Sequence, residues 1–111
     1  MTSTTTRGYE FGEFVLLPEQ RFLLHLNNPV QIREKELDIL AYLITHASRS
    51  VTTNELIAAV WGPKANLAGG NISHHVARIR KILCCDVRKP KYIKTLSGSK
   101  GYRFITTPVE K

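Results

Sequence analysis

The chain has 111 residues, of which 42% are hydrophobic and 23% are charged, and its formal net charge is +7. This length allows one compact domain with one modest core. The longest apolar run, residues 39–44, is too short for a membrane helix of about 20 residues, and residues 1–6 lack the apolar core of a signal peptide. The two cysteines, Cys84 and Cys85, are adjacent and cannot staple a fold, which indicates a reducing compartment. We therefore expect a cytoplasmic domain.

The positive charge is concentrated in the second half of the chain. Residues 1–63 contain 5 basic and 7 acidic side chains, a balance of −2, whereas residues 64–111 contain 11 basic and 2 acidic side chains, a balance of +9. Surface charge that serves only solubility would not be segregated so sharply. We expect the basic half to attract a polyanion, with nucleic acid as the first candidate and an anionic membrane surface as the second.

The first part of the chain predicts a small antiparallel sheet. Residues 1–8 form a leader that we expect to be disordered. Short β-prone stretches follow, and glycine, proline and asparagine residues break them. The predicted strands are residues 9–11, 14–17, 21–26 and 30–32, with a turn at 27–29.

The middle of the chain changes to a helical periodicity. The first predicted helix covers residues 34–47. Glu36 lies in its first turn, where the helix dipole stabilises a carboxylate. The second helix begins after Thr52, because Thr52 and Glu55 have the spacing of a capping box, and Gly62 ends it.

A third helix and a hairpin complete the predicted order. After a polar loop at 64–70, the third helix is expected from about 71 to 84. Two strands follow, at 92–96 and 101–106, and residues 97–100 join them. The order of sheet, three helices and hairpin predicts an α+β fold.

The third predicted helix is amphipathic. On a helical wheel of about 100° per residue, its aliphatic side chains form one stripe, and polar and basic side chains lie opposite that stripe or on its flank. The stripe consists of Ile72, Val76, Ile79 and Leu83, and the polar set of Asn71, His74, Arg78 and Lys81. Such a face suits the DNA major groove, where arginine donates two hydrogen bonds to guanine and asparagine pairs with adenine. Lys81 and Arg80 are better suited to phosphates.

The predicted hairpin extends this basic surface. Nine basic residues and one acid, Asp86, lie between Arg78 and Arg103. The turn at 97–100 is small and cationic, so it can enter a minor groove, where negative potential is concentrated. The alternation of the strands predicts that the hairpin aromatics face the core, namely Tyr92, Tyr102 and Phe104.

Several short motifs, in this order, carry a family resemblance. They are Lys35-Glu36-Leu37, residues 52–56, Val60-Trp61-Gly62, residues 75–81, residues 90–95 and residues 101–104. The chain resembles the winged-helix DNA-binding domain of OmpR/PhoB-type transcriptional regulators, and it is most similar to the ToxR/CadC-like branch. The resemblance covers residues 9–106, which we take as the domain, with 107–111 as a tail or the start of a linker.

The resemblance implies a fold and a function. The expected fold is a winged helix-turn-helix with an N-terminal antiparallel sheet, three helices and a C-terminal β-hairpin wing. The third helix is expected to read bases of double-stranded DNA in the major groove and the wing to touch the minor groove. The loop at 63–70 is a candidate contact for RNA polymerase, and head-to-tail dimers on tandem repeats are expected. In the ToxR/CadC-like branch a linker, a membrane helix and a sensory domain follow, so the chain is either part of a membrane-anchored regulator or a stand-alone one.

The motif positions and the helical wheel together nominate the contact residues. The expected base-reading residues are Asn71, Ser73, His74 and Arg78. The expected contacts with the DNA backbone are Trp61, His75, Arg80, Lys81, Lys94 and Thr95. The expected wing contacts are Ser97, Ser99, Lys100 and Arg103.

Three positions depart from the family pattern. Gly70 and Asn71 stand where a basic residue is frequent. The turn at 97–100 is one residue longer than usual, which leaves Lys100 as the expected wing cation. Arg33 stands where a serine or threonine usually caps the first helix, which bears on stability rather than on function.

Other functions are weighed against DNA binding. His74 and His75 are adjacent and point about 100° apart on a helix, so they cannot chelate one metal together. No nucleophile has a base and an orienting partner, so we expect neither an enzyme nor a cofactor. Two alternatives stay open: a winged helix that binds an acidic protein, and a nonspecific basic nucleic-acid binder. Sequence-dependent affinity for duplex DNA would separate these from the main interpretation.

Overall fold

The computed structural model describes residues 8–62, 72–83, 92–96 and 101–110. The strands in these ranges are β1 (Tyr9–Phe11), β2 (Phe14–Leu17), β3 (Phe22–His25), β4 (Asn28–Pro29), β5 (Ile93–Leu96), β6 (Gly101–Phe104) and β7 (Val109–Glu110). The helices are α1 (Glu34–Thr45), α2 (Thr53–Trp61) and α3 (Ile72–Ile82). The predicted order of sheet, three helices and hairpin is confirmed.

The N-terminal sheet differs from the prediction at its fourth strand. Strand β4 is Asn28–Pro29, inside the predicted turn, and the strand predicted at 30–32 is wrong. The reason is that Leu26 and Asn27 have φ values of 51° and 69°. Two successive residues with positive φ make a two-residue hairpin turn, so pairing resumes at once with His25 opposite Asn28.

The C-terminal end of the described chain adds a fifth strand to this sheet. The strand order is β4-β3-β2-β1-β7, and β7 pairs antiparallel with β1, with Val109 opposite Glu10. A strand of two residues is too short to show an alternation of polar and apolar side chains, so it could not be predicted from the sequence.

Helix α2 begins as its capping spacing predicts. The Glu55 N–H donates to the Thr52 hydroxyl at 3.0 Å. The Glu55 carboxylate does not return to the Thr52 backbone, as a full capping box would require. It accepts a hydrogen bond from the Tyr42 hydroxyl at 2.6 Å and two from the Arg49 guanidinium, and so fastens α2 to α1. Arg33, the N-cap of α1, makes no side-chain capping bond.

The C-terminal hairpin of β5 and β6 packs against the core through backbone and aromatic contacts. Its two strands pair with Ile93 opposite Phe104, and Tyr102 exchanges two backbone hydrogen bonds of 2.8 Å with Val51, just before α2. The three aromatics predicted to face the core are buried. Phe104 and Tyr92 make edge-to-face contacts with Phe11 at centroid distances of 5.3 and 5.5 Å, so aromatic packing joins the hairpin to the N-terminal sheet.

Candidate nucleic-acid interface

Helix α3 is fixed to the domain by its aliphatic stripe, as predicted. The stripe residues are at most 2% exposed, and they are Ile72, Val76, Ile79 and Leu83. Burying a side chain of this size contributes about 1.5–3 kcal/mol relative to leaving it in water. The stripe therefore gives the helix one orientation, and the opposite face is turned to solvent.

The exposed face of α3 carries the predicted contact residues. Ser73, His74, Arg78 and Lys81 are exposed, and the side chain of Arg78 is 52% accessible. The small residue Ala77 lies among them. The remaining predicted base-reading residue, Asn71, is outside the described residues. A cationic face without bulky apolar side chains can lie close to an anionic polymer.

Arg80 leaves this face and ties α3 to the hairpin. Its Nε and Nη2 donate to the Ile93 carbonyl at 3.3 and 3.2 Å, and Nη2 also donates to the Thr95 hydroxyl. The guanidinium lies 5.9 Å from the centroid of the Tyr102 ring. The structure thus brings together two residues that the sequence analysis assigned separately to the DNA backbone, Arg80 and Thr95.

The hairpin places two cations directly opposite each other. Lys94 of β5 is the register partner of Arg103 of β6, and both side chains are exposed. Like charges in directly opposed positions of a sheet repel. An anion against this face would relieve the repulsion, so the pair favours a polyanionic partner. The other predicted wing residues lie outside the described residues, namely Ser97, Ser99 and Lys100.

Trp61 and His75, two further predicted backbone contacts, lie together at the side of α3. Their ring centroids are 5.6 Å apart, and Lys35 Nζ lies 5.7 Å from the indole centroid. His75 Nδ1 is 3.3 Å from the Glu36 carboxylate. Both aromatic side chains are half-buried, so they support the position of α3 and still reach the surface.

Glu36 is the residue that the sequence analysis missed. It is 2% exposed, and among the described residues no other charged side chain is buried. Its carboxylate also lies 3.7 Å from Arg78 Nε. The sequence predicted that Glu36 lies in the first turn of α1, but no pattern in the sequence indicated that its carboxylate faces α3.

A cleft of about 570 Å³ opens between the chain segment before α1 and the C-terminal half of α3. Its lining combines three cations with one carboxylate and a few neutral side chains, and the residues are Gln31, Ile32, Arg33, Glu36, Arg78, Lys81 and Ile82. The excess of positive charge beside α3 makes this edge of the helix favourable for an anion.

Two other kinds of site have no support in the described part of the chain. Its histidine, cysteine, aspartate and glutamate side chains form no group of three that could hold a metal ion. None of its helices has the length and apolar character of a membrane span.

Comparison with known proteins gives the family. The family model described as transcriptional regulatory protein, C terminal, matches residues 27–104. The transcriptional regulatory protein PhoP of Bacillus subtilis, named for alkaline phosphatase synthesis, is 30% identical over 95 residues, which are 84% of this chain and 38% of PhoP. The chain spans less than half the length of the curated relatives that it matches.

Solved structures agree on the fold. The Klebsiella pneumoniae RstA DNA-binding domain, solved in complex with its RstA box, has a TM-score of 0.77 at 24% identity, covering 88% of this chain and 96% of that one. The DNA-binding domain of Escherichia coli CadC has a TM-score of 0.79 at 19% identity, covering 97% of this chain and all of that one, at 100%. The chain therefore belongs to the family of C-terminal domains of transcriptional regulatory proteins, and the predicted OmpR/PhoB-type winged-helix fold is confirmed.

Proposed function

We propose that this domain binds double-stranded DNA in a sequence-dependent way and regulates transcription through that binding. Helix α3 lies in the major groove, which admits one α-helix, and the hairpin lies against the adjacent minor groove. The observation that carries the proposal is the exposed cationic face of α3, which a fully buried aliphatic stripe holds outward. The related RstA domain has been solved in complex with its RstA box, which supports the same mode of binding.

The proposal divides the contacts by their chemistry. Arg78 reads a guanine, with Ser73, His74 and Asn71 as further base contacts. Lys81 and Lys94 contact phosphates, which position the domain without reading sequence. Trp61, His75, Arg80 and Thr95 support or extend these backbone contacts. The wing residues Ser97, Ser99, Lys100 and Arg103 meet the minor groove, and a cation there senses groove width more than base identity.

The salt dependence of binding tests the DNA partner. Selection from a random duplex pool yields the preferred site, and fluorescence anisotropy then gives affinity against salt for that site and for a scrambled duplex. Each phosphate contact contributes about −0.9 to the slope of log K against log salt. A flat slope, or no binding to any duplex at low salt, overturns the proposal. Equal affinity for both duplexes would leave only a nonspecific nucleic-acid binder.

Arg78 and Lys81 separate base reading from charge. Arg78→Ala is expected to cost about 1–3 kcal/mol on the selected site and to relax discrimination at one base pair. Lys81→Ala, which removes the same charge from the same helix face, should weaken all duplexes alike. Equal losses for Arg78→Ala on selected and scrambled duplexes would make Arg78 a phosphate contact.

The wider partners follow from the same proposal. A chromosomal target places the domain in the bacterial cytoplasm, whether or not a longer parent protein is anchored in the inner membrane. The loop at 63–70, the expected contact for RNA polymerase, lies outside the described residues. That contact stays a prediction, which deletion of the loop tests by transcription in vitro with DNA binding as the control.

A further inference from the structure

The Glu36 carboxylate joins α1 to the side of α3 that carries Arg78. Oε2 of Glu36 lies 3.3 Å from His75 Nδ1 and 3.7 Å from Arg78 Nε, although Glu36 is 39 residues before His75 in sequence. We propose that Glu36 is a positioning residue for base recognition, which orients the Arg78 guanidinium from inside the protein. This inference rests on the proposed DNA-binding function.

Burial makes the Glu36 carboxylate a strong anchor. A carboxylate removed from water is costly unless cations and hydrogen-bond donors surround it. Glu36 is 2% exposed, and it lies in the first turn of a 12-residue helix, where the dipole also favours negative charge. The protein encloses the Glu36 side chain, whereas the side chain of Arg78 is 52% accessible and its orientation is open to influence from its neighbours.

The geometry assigns the two ends of the guanidinium to different partners. The Nε side faces Glu36, so Nη1 and Nη2 are left for an acceptor beyond the protein surface. Two parallel N–H groups match the O6 and N7 acceptors of guanine. An arginine held in its bound orientation loses less side-chain entropy on binding. Glu36 therefore favours the one orientation that reads a base.

The same carboxylate has the opposite effect on binding that depends on charge alone. A negative charge beside the cationic face lowers attraction to phosphates of any sequence. Glu36→Gln keeps the size of the side chain but removes that charge. A positioning role thus predicts weaker binding to the selected site together with equal or tighter binding to a scrambled duplex. A purely structural role predicts parallel losses on both.

The test compares Glu36→Gln with a matched control at the start of the same helix. Glu34→Gln removes the same charge, but the Glu34 side chain is 81% exposed and forms its ion pair with Arg21 at 4.0 Å rather than with Arg78. We expect Glu36→Gln to weaken the selected site about tenfold and to relax the same base pair as Arg78→Ala, because loss of one good arginine–guanine pair has this order of effect. Glu34→Gln should leave the ratio of the two affinities unchanged.

A double-mutant cycle gives the direct measure of coupling. If Glu36 acts through Arg78, Glu36→Gln has little further effect on selectivity once Arg78 is alanine. Additive losses, or equal losses on selected and scrambled duplexes, overturn the positioning role while wild-type binding still supports the proposed function. If the wild-type domain binds no duplex, the proposed function and the positioning role of Glu36 are both wrong.

The folding of each variant is measured by thermal unfolding. Glu36→Asp keeps the charge but draws it back by one methylene, and we expect an intermediate loss of selectivity. If Glu36→Gln does not fold, the affinities of Glu36→Asp for the selected and the scrambled duplex test the positioning role instead. An unchanged preference in a folded Glu36→Asp would then overturn the proposal.

Discussion

Arg80 joins α3 to the hairpin at a carbonyl that the hairpin ladder does not use. The Tyr92 carbonyl accepts from the Ile105 N–H at 2.8 Å, across the ladder. Successive carbonyls of a strand point to opposite sides, so the Ile93 carbonyl points away from β6. Arg80 donates to that carbonyl through Nε and Nη2 and to the Thr95 hydroxyl. We predict that Arg80→Gln loosens the hairpin and destabilises the domain.

The size of the effect follows from these bonds. A hydrogen bond from a charged donor contributes about 1.5–3 kcal/mol where it is well shielded, and less near solvent. Arg80 is half-buried, and water can reach the Ile93 carbonyl once the guanidinium is removed. We therefore expect the three bonds together to contribute about 2 kcal/mol to the free energy of unfolding. For a domain of this size the melting temperature should fall by about 8 °C.

Urea unfolding followed by circular dichroism measures this loss. Arg103→Gln is the control, because it removes the same charge from an exposed position of the same hairpin and should cost less than about 0.5 kcal/mol. Arg80→Lys keeps the charge but not the planar fork, so it should lose about 1 kcal/mol with an unchanged salt slope of DNA binding.

If Arg80→Gln and Arg103→Gln unfold at the same urea concentration, Arg80 does not stabilise the hairpin. If Arg80→Gln is as stable as wild type and its salt slope is less steep by about 0.9, Arg80 is a phosphate contact alone. That result would favour the sequence-based interpretation of Arg80 over the structural one.

Three further predictions concern acid stability, one backbone position and assembly on DNA. A hydrogen bond from Arg49, and a smaller effect of one from Tyr42, lower the pKa of Glu55 to about 2. The contribution of Glu55 to stability is therefore complete above about pH 4.5 and is lost as the pH falls toward 2. Glu55→Gln should reduce the loss of stability between these pH values, as measured by urea unfolding at each pH. Gly101 has a φ of 103°, and an added Cβ would lie 2.0 Å from the Val51 carbonyl oxygen, so Gly101→Ala should cost more than about 3 kcal/mol. Gly62→Ala, at a φ of 101° and a ψ of 160° but with no described residue within 4 Å of an added Cβ, should cost about 1–3 kcal/mol, and thermal unfolding compares the two variants. Tandem half-sites about 10 bp apart should bind cooperatively, and a footprint that protects one isolated half-site, or a strict palindrome, would contradict the head-to-tail arrangement.

The sequence predicted those parts of the fold that local chemistry decides. The aliphatic spacing from Ile72 to Leu83 predicted α3, because a 3.6-residue period brings these side chains to one face. The hydroxyl of Thr52 predicted the start of α2, since capping acts within three residues. The same period predicted that Arg78 and Lys81 face solvent, and both are exposed.

Short strands were harder to predict because pairing partners decide them. Strand β7 forms because Val109 and Glu110 pair with the edge of β1. Strand β4 begins where it does because Leu26 and Asn27 adopt positive φ without a glycine to signal it. For β7 the deciding hydrogen bonds come from a distant segment of the chain, and for β4 the deciding feature is a turn conformation that its residue types do not signal.

By itself, the sequence determined that one helix faces outward with positive charge and that a basic hairpin follows it. The tertiary structure alone decided which polar side chains of α3 are held by distant parts of the protein. Arg80 is held by Ile93 of the hairpin, 13 residues away, and His75 by Glu36 of α1, 39 residues away. The physical reason is that a helical period fixes the direction of a side chain relative to its own axis, whereas its partners depend on how distant elements pack around a shared core.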